Sequence, residues 1–283
     1  MTPTAPAERV RARLARVAGS EVAREMPSGY QRLGRVLLLR LPEGMRPFFG
    51  VIGDAWIEEL GVGSVLRYRG SMRGELRVPD VERLAGSGTE TEVREHGIRY
   101  RLDAARVMFA AGNRTERQRV GRMIRPGETV VDLFAGIGYF ALPAAVHGRA
   151  GRVHAVEKNP ESFAYLDENV RLNGVGDRVT TYLGDNRSVD LPMAEADRVV
   201  LGYLPSSLPW LPRALELLRR DGGSVHVHLI EGSHGGLARS EAAVRRRLES
   251  LGAEVGPSSA REVKPYGPGR LHAVVDAQLR PPT

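Results

Sequence analysis

The stretch VVDLFAGIGYFALPAA, residues 130–145, constrains the fold of this chain more than any other segment. A short apolar run ends at Asp132, the small residues Ala135, Gly136 and Gly138 follow, and an Ala- and Leu-rich run begins directly after them. Strand, glycine turn and helix in that order open a βα unit. Small residues let the backbone approach a ligand closely, and a helix N-terminus adds its dipole. Taken alone the pattern is weak, because many βα turns use glycine only for packing.

The flanking sequence strengthens it. GNRTERQRVGRMIRPGE reads as a helix closed at Pro126-Gly127, and from there apolar strands alternate with helical runs. Strands are expected in TVVDLFAG, GRVHAVEKN, DRVTTYLGD, ADRVVLGYLP and SVHVHLIEG, with helices in GYFALPAAVHG, PESFAYLDENVRLNGV, LPWLPRALELLRRDGG and LARSEAAVRRRLESLG. SAREVKPYGPGRLHAVVDAQL closes the chain as a pair of strands, the antiparallel edge of such a sheet. Residues 101–283 are therefore expected to form a Rossmann-like α/β domain with a mostly parallel seven-stranded sheet. Residues 1–100 carry an Arg-rich amphipathic helix or frayed terminus over 1–20, then short β-rich runs broken by Gly and Pro, then the hairpin-like TEVREHGIRYRLDAARVMFA. They read as a small α+β domain suited to binding substrate or RNA.

Two carboxylates lower the chance that the glycine turn serves packing alone. Glu157 closes HAVE about 20 residues after the glycines, where a carboxylate can accept both hydroxyls of a ribose. Asp185 and Asn186 close TTYLGDN, where a carboxylate can accept the exocyclic amine of adenine and an amide or backbone group can meet a ring nitrogen. All three features fall at carboxyl ends of successive strands, which converge on one crevice in an open α/β sheet. The third glycine of a dinucleotide fingerprint is replaced by Ala141, and the wording Asp-x-Phe-Ala-Gly-x-Gly, from Asp132 to Gly138, points instead to S-adenosylmethionine.

Composition sets the remaining limits. The 283 residues include no cysteine, which excludes disulfides, cysteine-ligated zinc and thiol catalysis. No apolar run reaches membrane-span length and no secretory signal opens the chain, so a cytoplasmic protein is expected. The net charge is +7, and residues 1–50 hold nine Arg against four Glu. A surplus of that kind favours a phosphate-bearing partner, although Arg stands in for Lys almost throughout, with only Lys158 and Lys264 present. His226 and His228 alternate on a strand with His234 beyond; without an evident acidic partner they read as structural, and no metal is expected. Arg114, Arg117 and Arg119 cannot share one helix face; Arg117 with Glu116 can line the cofactor mouth, and a plain exposed basic helix is the alternative. No Ser/His/Asp order and no P-loop supports a hydrolase or kinase.

With these residues in place, the chain resembles the tRNA aminocarboxypropyltransferases of the wybutosine pathway, relatives of the tRNA guanine-37 N1-methyltransferases. The resemblance is carried by GNRTERQRV, VVDLFAGIGYFALPA, VEKNPESFAYLDENVRLNGV, GDNR and ADRVVLGYLPSS, and more weakly by VKPYGPGRLHAVVD, over about residues 108–276. It implies that Arg117, Glu157, Asp185 and Asn186 contact S-adenosylmethionine as group donor; Phe134, Ala135, Gly136 and Gly138 of the glycine turn are the further candidates for holding it. A serine of the family falls on Ala110, where no side-chain contact can survive. The family's reaction moves the 3-amino-3-carboxypropyl group, not methyl, and leaves 5'-methylthioadenosine. The acceptor it implies is the tricyclic guanosine of tRNA position 37; a small phenolic acceptor, or N1 methylation of tRNA guanine, are the alternatives.

The turn ADRVVLGYLPSS bears on that choice. Methyltransferases of nucleobases often carry Asn-Pro-Pro-aromatic or Asn-Leu-Pro here, and the Asn holds the base amine. This chain has Gly202 at the Asn position, which is expected to leave room beside the donor. Tyr203 and Ser206 are the positional candidates for a catalytic role, and Ser206-Ser207 can equally cap the helix that follows.

Overall fold

The computed structural model describes residues 5–282. The chain divides into two compact units, the first running through Glu95 and including Arg99–Ala111, the second comprising His96–Ile98 and the residues from Gly112 onward.

In the first unit, helix α1 spans Pro6–Ala18, and the first four residues of the expected helix lie outside the described residues. Pro6 occupies the first helical turn, where its missing N–H costs nothing, and Val10 and Leu14 turn inward one helical turn apart. Helix α2 (Ser20–Glu25) leads to strands β1 (Tyr30–Leu33) and β2 (Val36–Leu39). Helix α3 (Phe49–Leu60) carries the chain to β3 (Ser64–Tyr68), parallel to β2, and β4 (Val81–Gly86) closes a four-stranded sheet of order β1-β2-β3-β4. Leu14, Leu37, Ile52, Trp56 and Val65 fill the core between helices and sheet. Strands β5 (Glu90–Glu95) and β6 (Ile98–Asp103) pair separately, joined through His96 and Gly97, both at positive φ.

The arginines of this unit are not uniformly available. Arg9 pairs with Glu59 and Arg13 with Glu58, tying α1 to α3, while Arg11 donates two hydrogen bonds to the Met26 carbonyl. Arg16, Arg32, Arg35 and Arg40 are exposed.

The second unit carries the expected α/β fold. Its elements are α4 (Arg114–Met123), β7 (Thr129–Asp132), α5 (Ala141–Val146), β8 (Arg152–Glu157), α6 (Pro160–Leu172), β9 (Val179–Leu183), β10 (Arg198–Leu201), α7 (Leu211–Leu217), β11 (Gly223–Gly232), α8 (Gly236–Ser250), β12 (Glu254–Gly267) and β13 (Arg270–Arg280). The sheet runs β12-β13-β11-β10-β7-β8-β9, parallel from β11 through β9, with β13 antiparallel to both its neighbours. The central strands β7 and β10 are buried almost throughout, as in a sheet covered on both faces. From β7 the chain builds outward to β8 and β9, then returns to β10 on the other side. The gap between β7 and β10 is therefore the topological switch point, where ligands of such sheets bind.

Two helices are shorter than the sequence implies. In α5, Pro143 sits within the first turn, the only part of a helix that needs no N–H from it, so residues 137–140 stay in the turn. In place of one long helix after the Gly202 turn, a single 3-10 turn (Leu208–Trp210) precedes α7, and Leu218 leaves it to bridge Ala196. No helix among the described residues is long and apolar enough to cross a membrane.

Candidate active site at the switch point of the sheet

The glycine turn after β7 is built around close backbone approach. Gly136 and Gly138 have φ of 56° and 105°, and a Cβ there would lie 2.7 Å from the Tyr139 ring and from Leu142, respectively. Ala135 is fully buried and donates to the Val156 carbonyl of β8. Asp132, fully buried at the end of β7, accepts from the Phe134 N–H at 3.2 Å. Burial pushes its carboxyl up to about 7 against the pull of nearby backbone N–H groups, and Oδ2 has no hydrogen-bond partner.

Glu157 closes β8 and reaches across to this turn. Its Oε2 accepts the Gly136 N–H at 2.8 Å and its Oε1 accepts the Asn159 N–H at 2.7 Å. Burial raises its pKa, opposed by the same backbone donors. Each oxygen keeps a further lone pair, so a pair of adjacent hydroxyls can still be accepted. Asp185 follows β9. The Arg187 side chain and backbone N–H and the Lys158 ammonium, 3.1 Å away, hold its carboxyl well below the usual range. Asn186 is buried, and its amide donates to the Leu133 carbonyl at 2.7 Å, which binds the β9 loop to the β7 loop.

The turn after β10 differs from the expectation of open space. A Cβ on Gly202 would lie 3.0 Å from Cε2 of Phe140, so the position left by the missing Asn is filled by that ring. Ser207, fully buried, donates to the carbonyls of Leu201 (2.7 Å) and Tyr203 (2.8 Å) as alternatives and accepts the Tyr203 N–H. Ser207 thus braces the turn, while Ser206 accepts the Leu208 N–H at 3.3 Å at the start of the 3-10 turn. Tyr203 stacks on Phe134 with centroids 5.2 Å apart, and Trp210 meets both rings at 5.1–5.2 Å. Glycine turn, Glu157, Asn186 and Tyr203 are therefore linked by direct contacts around one crevice. Trp210 was not anticipated, although its position eight residues past Gly202 puts it in the same loop.

Behind this crevice lies a polar network that no local pattern announces. Asp276 on β13 accepts from His226 at 2.5 Å and from Arg119 at 2.6 Å, so the strand histidine does have an acidic partner. The network extends through Glu116 on one side and Arg198 and Glu128 on the other. Despite burial, His226 and Arg119 hold the Asp276 carboxyl low. Next to it, His228 and His272 share a hydrogen bond at 2.9 Å, and burial drives both down to about 3. Arg117 is buried with its guanidinium 5.3 Å from the Tyr139 ring centre, in the same turn as the glycines. Arg114 is exposed; Arg119 belongs to the network. Among the described residues no group of His, Asp and Glu forms a metal cluster.

Residues 91–255 match the model of the TRM5/TYW2 methyltransferase domain, and residues 10–89 match that of the TYW2 N-terminal domain. The chain belongs to the TRM5/TYW2 family. Among proteins of this family it is 38% identical over 272 residues to the tRNA(Phe) (4-demethylwyosine(37)-C(7)) aminocarboxypropyltransferase of Pyrococcus horikoshii, covering 96% of each chain. The crystal structure of P. horikoshii TYW2 in complex with MeSAdo superimposes with a TM-score of 0.85 at 35% identity, covering 97% of this chain and 99% of that one. The structure of Methanocaldococcus jannaschii TYW2 in complex with AdoMet gives a TM-score of 0.72 at 31% identity, covering 89% and 100%. The TRM5/TYW2 family shares a mostly parallel, S-adenosylmethionine-type transferase fold, and the strand order found here is that fold.

Proposed function

We propose that this chain transfers the 3-amino-3-carboxypropyl group of S-adenosylmethionine to C7 of 4-demethylwyosine at position 37 of tRNA, in the cytoplasm, and releases 5'-methylthioadenosine. The observation that carries the proposal is the match along 96% of both chains to the P. horikoshii aminocarboxypropyltransferase. The TYW2-type N-terminal domain over residues 10–89 favours this reading over N1 methylation on the same scaffold. The phenolic acceptor has no support in relatives that bear tRNA-modifying names.

The residues of the crevice fit the donor. The positive-φ glycines let the turn fold tightly against Tyr139 and Leu142 at the end of β7, Glu157 is preset by two backbone N–H groups to receive ribose hydroxyls, and Asp185 stays ionised to accept an adenine amine. Arg117 and Phe134 complete the set we assign to donor binding, with Asn186 anchoring its loop through Leu133. When bound, S-adenosylmethionine supplies an activated carbon and a neutral thioether leaving group. As the carbon–sulfur bond breaks and the new bond to C7 forms, the C7 proton passes to water; what remains for the protein is chiefly positioning, which alone can account for many orders of magnitude in rate. Tyr203, stacked on Phe134, is our candidate for setting the geometry of the acceptor, with Ser206 in the same turn as the second. We assign recognition of the tRNA phosphates to the N-terminal unit.

The proposal is tested by incubating purified protein with S-adenosylmethionine and tRNA carrying 4-demethylwyosine, followed by mass spectrometry of the digested tRNA and of the nucleoside by-product. An aminocarboxypropyl adduct with methylthioadenosine is expected. A methyl adduct with S-adenosylhomocysteine overturns it.

A further inference from the structure

Two lines of packed side chains leave the switch point and end on two cations. The first starts at Gly136, whose absent Cβ would touch Tyr139, and continues to Arg117 above the Tyr139 ring. The second starts at Gly202, where Phe140 lies within 3.0 Å of the absent Cβ, and passes to His228, with ring centres 5.2 Å apart. From His228 it crosses to His272 at 2.9 Å, and His272 stands opposite Lys264 in the β12–β13 register. The Lys264 ammonium packs against Gly112, where a Cβ would come within 3.0 Å of Nζ.

Lys264 is half-buried and pairs with no carboxylate among the described residues. Desolvation, and then the Arg117 charge, lower its pKa. A part-desolvated cation beside a second cation is costly unless an anion joins them. His272, opposite Lys264 in the sheet, and His228 stay neutral at physiological pH and add no competing charge.

We propose that Lys264, together with Arg117, forms the subsite for the α-carboxylate of the aminocarboxypropyl arm, so that Lys264 determines which part of the donor is held and which carbon faces the acceptor. The inference rests on the proposed function in taking S-adenosylmethionine as the donor. Glu157 marks the ribose end of the crevice, and the carboxylate is the anion at the donor's opposite end. A tRNA phosphate is the other anion with the same chemistry, and the test separates the two.

Dissociation constants are measured by calorimetry without tRNA for S-adenosylmethionine, decarboxylated S-adenosylmethionine and 5'-methylthioadenosine, with the wild-type chain, Lys264→Met and Lys264→Arg. Lys264→Met should weaken S-adenosylmethionine about 10- to 100-fold, the range of a lost charge-assisted hydrogen bond, and leave the two ligands without a carboxylate unchanged. Lys264→Arg should recover most of the loss. The inference is overturned if Lys264→Met binds S-adenosylmethionine like the wild type, as a phosphate role requires, or weakens all three ligands alike, as a purely structural role requires. A wild-type chain that binds none of the three overturns the proposed function and this inference together, whereas loss of discrimination at Lys264 alone leaves that function standing.

Discussion

The Glu157 carboxylate holds the glycine turn of the neighbouring strand, its Oε2 2.8 Å from the Gly136 nitrogen. One side chain thus fixes the turn that shapes the crevice and faces the hydroxyls the crevice would receive. Replacing it removes both functions at once.

Glu157→Ala should therefore weaken S-adenosylmethionine binding by about 1.5–3 kcal/mol, or more than tenfold in Kd, as expected for a charged acceptor of buried hydroxyls. Glu157→Gln, which keeps one carbonyl acceptor, should fall between. Calorimetry that finds all three proteins equal would remove Glu157 from the donor site.

Much of this site is legible in sequence because its parts are local. Gly136 and Gly138 lie in one turn, and Glu157 and Asp185 each end an apolar strand, so period and punctuation locate them. Contacts between distant segments are not legible in this way. Asp276 meets His226 only because β13 inserts antiparallel beside β11, a strand order that no local pattern encodes. The space at Gly202 reads as empty until Phe140, 62 residues earlier, is seen to fill it. Charge misleads similarly: Arg9 and Arg13 count toward a basic face, yet Glu58 and Glu59 on α3 neutralise them.

The turn after β10 separates bracing from chemistry. Ser207→Ala strands the Tyr203 N–H and should cost about 1–3 kcal/mol of stability, as an unsatisfied buried group does. Ser206→Ala should cost under about 0.5 kcal/mol, since the side-chain bond it makes among the described residues is long and only part-buried. Tyr203→Phe should keep turnover within a few-fold because the stack on Phe134 survives, while Tyr203→Ala should lose most of it. Thermal melts and single-turnover assays on the four variants decide this. Loss of turnover in Tyr203→Phe or Ser206→Ala, with donor binding intact, would make that hydroxyl catalytic.

Asp132 predicts a pH effect of definite sign. Its folded pKa, about 7, exceeds the unfolded value of 3.8, so the folded state holds the proton more tightly. The stability it contributes is fully present below pH 3.8 and is lost as pH rises through about 7. His228 and His272 act oppositely: folded values of about 3 against 6.5 give stability that is present above pH 6.5 and lost toward pH 3. Asp132→Asn should therefore gain stability relative to wild type as pH rises from 5 to 8, by an upper limit of about 2.7 kcal/mol, the two units between pH 5 and the folded pKa of about 7. Denaturant midpoints across that window check it, and a constant difference between the two proteins would show that Asp132 is ionised throughout.

Exposed arginines of the N-terminal unit, not the paired ones, should carry tRNA affinity. Arg16, Arg32, Arg35 and Arg40 are exposed to solvent, whereas Arg9 and Arg13 already have carboxylate partners. Each phosphate contact releases condensed counterions, so removing one lowers the slope of log K against log salt by about 0.7–0.9. Alanine at all four exposed positions should weaken tRNA binding and flatten its salt dependence, with S-adenosylmethionine binding unchanged. Alanine at Arg9 and Arg13 should instead loosen α1 from α3, lowering the melting temperature with a smaller change in salt slope. If the second pair flattens the slope and the first four do not, the phosphate-binding face lies elsewhere on the chain.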